Sequence, residues 1–306
     1  MFLNTSIKRS FLLLILVALG LSSTPSFAGG QTTLQEAYPN MGFSVLRFAK
    51  LSDLPEGIVL RAENIVIDES QILRMVNKES PEFREELKKN LIFVLEQELR
   101  NKLLLAEVYK NGYPKEGPEE ETILSFKNSK IPALSASDEE TKSFYEKNST
   151  AFGNFPFEQV AAGVKEFLLD QKKEEAFEAY LLDLAGSKNM QLQSSWAKKN
   201  CALAKDNPVD QARSSGKPTL VEFGKTGCTA CDMMQPILWN LEERFSGKVN
   251  VVFVHIQHSP FLASRYRITS IPLQAFFDKT GKEVFRHLGF YPQNEIEKKF
   301  AEMGVN

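Results

Sequence analysis

The segment that most constrains the fold is a pair of cysteines that follows an apolar run and opens a helix. Residues 219–223, TLVEF, predict a buried strand, and Cys228 and Cys231 come shortly after it. The following sequence, DMMQPILWNLEERF, has the spacing of a helix. A strand, a short CxxC loop and a helix in this order predict an α/β unit with both thiols at the start of the helix.

The CxxC pair permits three interpretations: a redox couple, half of a metal site, or a structural disulfide. The chain has three cysteines among 306 residues, too few for a disulfide-stapled scaffold. His255 and His258 would complete a plausible set of four zinc ligands. However, His255 falls in a strand that we predict to be central, and a three-residue step places His258 on the opposite face. Covalent haem attachment is excluded because Asp232, and not histidine, follows Cys231.

The rest of the C-terminal third alternates between strands and helices. A short helix is predicted at 202–214, a second buried strand at 249–256 and another short helix at 260–267. A strand at 272–277, a turn, a strand in EVFRHLG and a terminal helix follow. This order predicts an α/β fold with a mixed sheet flanked by helices. The buried side of the helix after the cysteines is predicted to comprise Met233, Ile237, Leu238, Leu241 and Phe245.

Three separated motifs in this region resemble the thioredoxin family. They are VEFGKTGCTACDMMQPIL, YRITSIP and DKTGKEVFRHLG, in the family's order and spacing. The resemblance covers about residues 202–306 and implies a thioredoxin-like fold with a redox-active CxxC. It also implies a cis bond at Ile271–Pro272 beside the cysteines, where a substrate chain pairs with the backbone of Ile271. The proline keeps metal from the cysteine pair in this family, so neither a metal nor a cofactor is expected.

Disulfide exchange needs an attacking thiolate and a second thiol that releases the mixed disulfide. Cys228 is the candidate nucleophile, because the N–H groups and dipole of the helix stabilise a thiolate at its N-terminus. Cys231, one turn later, is the candidate resolving cysteine. The family commonly has a buried aspartate six residues before the first cysteine, and Glu222 takes that place here. The resemblance implies that Glu222 exchanges a proton with the second thiol; an exposed strand-edge carboxylate is the alternative.

Two positions depart from the thioredoxin pattern. Gly227 stands where tryptophan is common, and the spacer between the cysteines is Thr229-Ala230. Spacer residues tune the reduction potential over more than about 100 mV in this fold. Oxidase, isomerase and reductase directions therefore stay open, and analogy to exported relatives favours the reductase.

The preceding part of the chain is rich in Glu, Lys and Leu and predicts a mainly helical domain. Residues 59–68 suit a short strand or hairpin. From Pro81 to Asn111-Gly112 the spacing predicts a single helix of about 30 residues, longer than most. Further helices are predicted at 118–129, after the capping box that begins at Ser137, and from 157 to 184.

This helical region resembles the chaperone-like domain of SurA, PrsA and related peptidyl-prolyl isomerases. The resemblance covers residues 58–193 and rests on element order and on the phrases SDEETKSFYEKNSTAF and FEQVAAGVKEFLLDQKKEEAFEAYLLDL. It implies a client-binding module. Prolyl isomerase activity is not expected, because the stretch between the relevant helices is too short to hold an inserted isomerase domain.

The N-terminus has the layout of a secretory signal peptide. Lys8 and Arg9 precede the apolar run FLLLILVALGL, and Ser26-Phe27-Ala28 gives a small-x-small cleavage site. A retained membrane anchor is the alternative, for which the run is short. The mature protein is expected to be periplasmic or otherwise exported. We predict a signal peptide at 1–28, an extension at 29–57, the SurA-like domain at 58–193 and the thioredoxin-like domain at 202–306.

The chain carries 37 Lys+Arg against 39 Asp+Glu, so it lacks the basic excess of a nucleic-acid-binding protein. The expected function is exported thiol-disulfide exchange with a chaperone-like module. Its partners are thiol- or disulfide-containing client proteins and, for a reductase, a membrane electron donor. The alternatives are a non-catalytic chaperone or assembly factor whose thioredoxin fold is a docking domain, and a dimeric scaffold. Cys201, at the domain junction, is either structural or a third redox thiol.

Overall fold

The computed structural model describes residues 31–114, 119–152 and 155–305. Within these ranges, the chain from Thr32 onward forms one unit that contains two four-stranded sheets. The predicted signal peptide at 1–28 lies outside the described residues. None of the described helices is both long and apolar enough to cross a membrane.

The first sheet joins segments that are far apart in sequence. Its strands are β1 (Lys50–Ser52), β2 (Ile58–Ala62), β3 (Ile65–Asp68) and β4 (Met190–Gln193), in the order β1-β4-β2-β3. The strands β2 and β3 form the antiparallel hairpin predicted at 59–68. The strand β4 pairs parallel with β1 and antiparallel with β2. Residues 50–52, which fall in the predicted extension, therefore share a sheet with the end of the helical region.

The remainder of the N-terminal part is mainly helical, as predicted. Its helices are α1 (Leu34–Ala37), a 3₁₀ turn (Val45–Phe48), α2 (Glu69–Asn77), α3 (Pro81–Lys89), α4 (Leu91–Lys110), α5 (Glu119–Lys130), α6 (Asp138–Lys147), α7 (Ser149–Phe152), α8 (Phe157–Gly186) and α9 (Ser194–Ala204). The capping box at Ser137 begins α6, and α8 corresponds to the predicted long helix. Pro118, the predicted start of α5, lies outside the described residues.

The prediction of one helix from Pro81 to Asn111 is wrong, because Asn90 separates α3 from α4. Asn90 has φ −117° and ψ 26°, and its side-chain amide donates to the carbonyl of Glu86 at 2.8 Å. Asparagine side chains compete with a helix for backbone groups in this way. Residues 91–95 are all buried, so α4 begins apolar on every side. Helical spacing alone does not reveal a break that lies next to such a run.

The C-terminal part has the α/β fold predicted for it. Its elements are α10 (Pro208–Arg213), β5 (Thr219–Gly224), α11 (Thr229–Arg244), β6 (Asn250–His255), α12 (Pro260–Arg265), β7 (Leu273–Phe277), β8 (Glu283–Leu288) and α13 (Gln293–Glu302). The sheet order is β6-β5-β7-β8, with β5 parallel to β6 and antiparallel to β7. Buried residues on the two faces of this sheet form two separate clusters, one of which includes α11 and α13.

Two predicted details of this part are wrong. The helix expected at 202–214 is divided into α9 and α10, because Pro208 has no backbone N–H with which to continue a helix. The strand β6, which ends at His255, is an edge strand and not a central one. It lies at the edge because the next strand along the chain, β7, pairs with the other side of β5.

The buried side of α11 also differs from the prediction at one position. Met234 is fully buried, whereas Met233 is 42% exposed. The buried stripe follows the helical spacing from the second cysteine through Cys231, Met234, Leu238 and Leu241. Met233 lies outside this stripe.

A buried ion-pair cluster joins the N-terminal part to the C-terminal part. The guanidinium of Arg265, at the end of α12, lies 2.5 Å from one carboxylate oxygen of Asp210 and 3.1 Å from the other. Arg265 also donates to the carbonyl of Met41 and lies over the ring of Phe93, 4.4 Å from its centre. The side chains of Arg265 and Asp210 are 3% and 5% exposed. Because Arg213 contacts Asp210 as well, one carboxylate faces two buried guanidinium groups.

Removing this carboxylate is expected to destabilise the protein strongly. The substitution Asp210→Ala leaves Arg265 and Arg213 buried without their counter-charge. Breaking a buried pair in this way costs about 3–5 kcal/mol. Urea unfolding followed by circular dichroism measures the change in the free energy of unfolding.

The matched control is Lys173→Ala, which removes an ion pair with Asp170 whose two side chains are 42% and 66% exposed. An exposed pair contributes less than about 1 kcal/mol. Equal losses in the two variants would contradict a special role for the buried cluster.

Candidate functional site

The two cysteines of the CxxC motif lie where β5 ends and α11 begins, and they form a disulfide bond. Cys228 is the N-cap residue of α11, and its sulfur accepts a hydrogen bond from the N–H of Cys231 at 3.4 Å. Cys228 is partly exposed, whereas Cys231 is 1% exposed. A protein thiol or disulfide can therefore reach the sulfur of Cys228 and not that of Cys231.

This position favours a reactive thiolate at Cys228 once the disulfide is reduced. The first N–H groups of a helix have no partners within the helix, and they carry partial positive charge. The bond from the N–H of Cys231 shows that one of these groups already points at the sulfur of Cys228. Stabilisation of the thiolate lowers the pKa of a cysteine at such a site. The assignment of Cys228 as nucleophile and of Cys231 as resolving cysteine stays a prediction.

Gly224 lets the backbone of β5 approach the disulfide closely. A Cβ atom at this position would lie 3.0 Å from the ring of Phe253, 3.4 Å from the Cβ of Cys231 and 3.5 Å from its sulfur. The added Cβ would make ordinary contact with Cys231, and the ring of Phe253 would have to shift by a few tenths of an ångström to admit it. Sequence analysis did not single out Gly224 or Phe253; a glycine at the end of a buried strand was the available signal.

The carboxyl of Glu222 is buried in the sheet, as the resemblance implied. Glu222 is 0% exposed and lies in β5 opposite Gln274, whose side-chain amide donates to it at 3.5 Å. Its second oxygen has no hydrogen-bond partner among the described residues. Burial raises the pKa of Glu222 to about 8. The side chain is therefore poised to hold a proton at neutral pH, and Gln274 is a neighbour that the sequence did not reveal.

Alternation along β5 places Glu222 on the same face as α11. Leu220 belongs to the cluster that contains Met234 and Leu238 of α11, and residues two apart in a strand point to the same face. Val221 and Phe223 belong to the cluster on the other face. The buried carboxyl thus faces the helix that carries the resolving cysteine.

The peptide bond between Ile271 and Pro272 is cis, as predicted. It immediately precedes β7, whose first residue, Leu273, pairs with Phe223 near the end of β5. The N–H of Gly289, just after β8, donates to the carbonyl of Pro272 at 2.8 Å. The cis bond and the CxxC loop therefore lie at the same end of the sheet. The role of Ile271 and Pro272 in substrate binding stays a prediction.

The histidines considered as zinc ligands are arranged differently from the prediction. The rings of His255 and His258 stack at 4.0 Å, because β6 ends at His255 and the chain turns there. The N–H of Thr226, in the CxxC loop, donates to His255 at 3.3 Å. Both cysteine sulfurs are bonded to each other. Over the described ranges, no cluster of three or more His, Cys, Asp or Glu residues could hold a metal ion.

Cys201 lies apart from this site. It is fully buried in α9, within the core of the N-terminal part. Burial raises the pKa of its thiol to about 12. At neutral pH the thiolate is the reactive form and is almost absent here, so Cys201 acts as a small core residue.

The buried carboxyl of Glu222 is expected to make stability depend on pH. Its pKa is raised from the usual 4.5 to about 8. An unfolded chain releases this proton as the pH passes about 4.5, but the folded chain keeps it until about 8. The free energy of unfolding should therefore fall by on the order of 4–5 kcal/mol as the pH rises across that range, and Glu222→Gln should remove this loss. Urea unfolding of the oxidised protein at a series of pH values measures it.

Glu243→Gln is the control, since Glu243 is an exposed carboxylate of α11. Its pH profile should match that of the unsubstituted protein. Identical profiles for Glu222→Gln and the unsubstituted protein would contradict a proton held on Glu222.

Comparison with known proteins agrees with this geometry. Residues 205–304 match the family of thioredoxin-like domains. Thioredoxin from Alicyclobacillus acidocaldarius is 33% identical over 98 residues, which cover 32% of this chain and 92% of that protein. The thiol:disulfide interchange protein TxlA homolog of Synechocystis sp. is 32% identical over 98 residues, or 31% of this chain and 54% of that protein.

The chain spans only about a third of a further relative, the chloroplastic thioredoxin-like protein HCF164 of Arabidopsis thaliana. That protein is 31% identical over 91 residues, which cover 29% of this chain and 35% of its own length. The crystal structure of chloroplastic thioredoxin z aligns with 30% of this chain and 83% of that chain, at 26% identity and a TM-score of 0.29. Family membership rests on the sequence relatives and on the matched domain. The chain belongs to the thioredoxin family, through a C-terminal thioredoxin-like domain that carries the Cys228–Cys231 pair.

Proposed function

We propose that this protein is an exported thiol-disulfide oxidoreductase that reduces disulfides in client proteins and holds those clients with its helical part. The observation that carries the proposal is the Cys228–Cys231 disulfide at the N-terminus of α11, with one sulfur accessible and the other buried. The Synechocystis relative, named as a thiol:disulfide interchange protein, supports the same reaction class.

The reaction begins with the reduced pair. The thiolate of Cys228 attacks one sulfur of a client disulfide, which forms a mixed disulfide and releases the other client sulfur as a thiolate. The thiol of Cys231 loses its proton and attacks the sulfur of Cys228. This step forms the Cys228–Cys231 disulfide and releases the second client thiolate. Two electrons have then moved from the protein to the client, and a dithiol on an electron donor must return them.

Glu222, in the fraction of molecules in which its carboxyl is ionised, supplies the proton acceptor that the second step needs. Cys231 is buried and attacks only as a thiolate, so a nearby group must take its proton. A carboxyl with a pKa of about 8 exchanges protons readily near neutral pH. It faces α11 from within the sheet, away from bulk water. Because Glu222 acts on a thiol of the enzyme and not on the client, its effect should be largest on the release of the mixed disulfide.

Export and client binding rest on separate observations. The signal-peptide pattern at 1–28 supports export. The order of elements over residues 58–193 supports a SurA-like client-binding module. Tethering such a module to the redox pair raises the effective concentration of a client near Cys228.

A redox titration tests the proposed activity. The purified protein is equilibrated in dithiothreitol buffers of graded potential, and the Cys228–Cys231 thiols are trapped with an alkylating reagent. A reductase should have a reduction potential near that of thioredoxin, about −270 mV. The substitution Cys228→Ser should abolish reduction of a protein disulfide, and Cys231→Ser should accumulate the mixed disulfide.

Cys201→Ser is the control and should leave both the potential and the reduction rate unchanged. A potential near about −120 mV, as in strong periplasmic oxidants, would reverse the proposed direction. If no cysteine pair titrates, the protein is not an oxidoreductase, and the alternative of a non-catalytic chaperone with a docking domain remains.

A further inference from the structure

An apolar groove runs between the helical part and the loop that carries the cis bond. Its volume is about 400 Å³. One wall is built by α6, α7 and α8 and includes Phe144, Phe152, Val164 and Phe167. The other wall belongs to the thioredoxin-like domain and includes Ile271 and Leu288. The groove is therefore formed jointly by the two parts of the chain.

The lining of the groove is suited to a hydrophobic side chain. Phe144 lies 5.5 Å from Phe167 and 6.4 Å from Phe152, measured between ring centres, so the helical wall is a packed aromatic cluster. None of the described residues that line the groove carries a charge. Three other lining residues are polar but uncharged, namely Asn148, Gln159 and Ser270. Most of the surface that an apolar side chain would cover is apolar, so its binding would remove water from few polar groups of the protein.

The groove continues into the redox site through Ile271. Among the described residues, the N–H and the carbonyl of Ile271 make no backbone hydrogen bond, and the ladder of β7 with β5 begins only at Leu273. These free groups lie beyond the end of the β5–β7 ladder, where an extended peptide can pair with them. The loop that leads to Cys228 lies at the same end of the sheet. A peptide bound here would reach both the disulfide and the apolar groove.

Ion pairs hold the two walls of the groove together. Arg267, in the segment between α12 and the cis bond, lies 3.0 Å from a carboxylate oxygen of Glu178 on α8. Glu178 also binds Arg100 of α4 at 2.5 Å and the hydroxyl of Ser44 at 2.5 Å. The loop that forms one wall is thus fastened to the helix that forms the other. Because these ion pairs already fix the two walls, binding of a ligand does not have to pay the entropy of ordering them.

We propose that this groove binds one large apolar side chain of an extended client polypeptide, close in sequence to the cysteine that exchanges with Cys228. The occupant is a polypeptide because the free backbone of Ile271 adjoins the groove and the exchanging cysteine belongs to a protein. The proposal rests on the proposed function. It gives the helical part a defined task, which is the selection of cysteines that have hydrophobic neighbours.

Matched peptides test this selection. Each peptide holds one cysteine as a mixed disulfide with thionitrobenzoate, and the peptides differ only in whether phenylalanine or serine occupies the positions flanking the cysteine. The reduced protein attacks the peptide sulfur and releases the coloured thiolate, whose absorbance gives the rate at low peptide concentration. Partial burial of one phenylalanine should make the phenylalanine peptide react about tenfold faster.

Filling the groove should remove this preference. A Cβ atom placed on Gly163, in the groove wall of α8, meets no atom within 4 Å, so Gly163→Phe adds a ring without a clash at its root. The control Ala162→Phe places the same ring one residue away, at an exposed position that does not line the groove. Gly163→Phe should equalise the two peptides, and Ala162→Phe should keep the tenfold difference. Both variants should react normally with the mixed disulfide of glutathione and thionitrobenzoate.

The outcomes separate this inference from the proposed function. Equal rates for the two peptides with the unsubstituted protein would overturn the groove and leave the oxidoreductase standing. A preference that survives Gly163→Phe, or is lost equally in Ala162→Phe, would also overturn it. Failure of every peptide and of the glutathione substrate to react would overturn the proposed function itself.

Discussion

The guanidinium of Arg265 occupies a position on which much of the structure depends. It is nearly inaccessible to water, so its charge must be balanced within the protein, and Asp210 of α10 provides that balance. The same group donates to the carbonyl of Met41 and lies over the ring of Phe93, both in the N-terminal part. An arginine can meet a carboxylate, a carbonyl and an aromatic face at once because its guanidinium is planar and carries five donors. One side chain thereby contacts both parts of the chain.

The position of Arg265 has consequences for the redox site. Arg265 ends α12, and the short segment after it leads through Arg267 to the cis bond at Ile271–Pro272. Arg267 is paired with Glu178, so this segment is fixed to the helical part at two points. The loop that carries Ile271 borders the CxxC site. Here the aromatic end of α8 covers part of it and creates the groove.

The site itself combines an accessible sulfur with a buried one and a buried acid. A client can contact Cys228, which is partly exposed, but not Cys231, which is buried. Burial also gives Glu222 its raised pKa, since an ionised carboxyl in the sheet interior would have only one weak partner, Gln274. Gly224 in turn leaves room for the ring of Phe253, which would lie 3.0 Å from a Cβ atom at that position. These features belong to the fold of the domain and not to any single residue.

Much of the redox site could be predicted from the sequence because its determinants are local. A strand followed by CxxC and a helix fixes the positions of Cys228 and Cys231, and the motif before β7 indicated the cis bond. The start of a helix could also be predicted from a local motif, as the capping box at Ser137 shows. The prediction failed at Asn90, where a side chain interrupts a helix beside a run of buried residues, and at Met233, which lies just outside the buried stripe.

The sequence by itself determined the position of the CxxC pair and the α/β domain that carries it, because both depend on short-range spacing and hydrophobic periodicity. Only the tertiary structure decided what lies beside the disulfide. The stacking of His255 on His258, the pairing of Gln274 with Glu222, and the burial of Arg265 depend on which distant segments come together. The groove between α8 and Ile271 depends on the same long-range packing. Such contacts join residues far apart in sequence, and no local pattern specifies them.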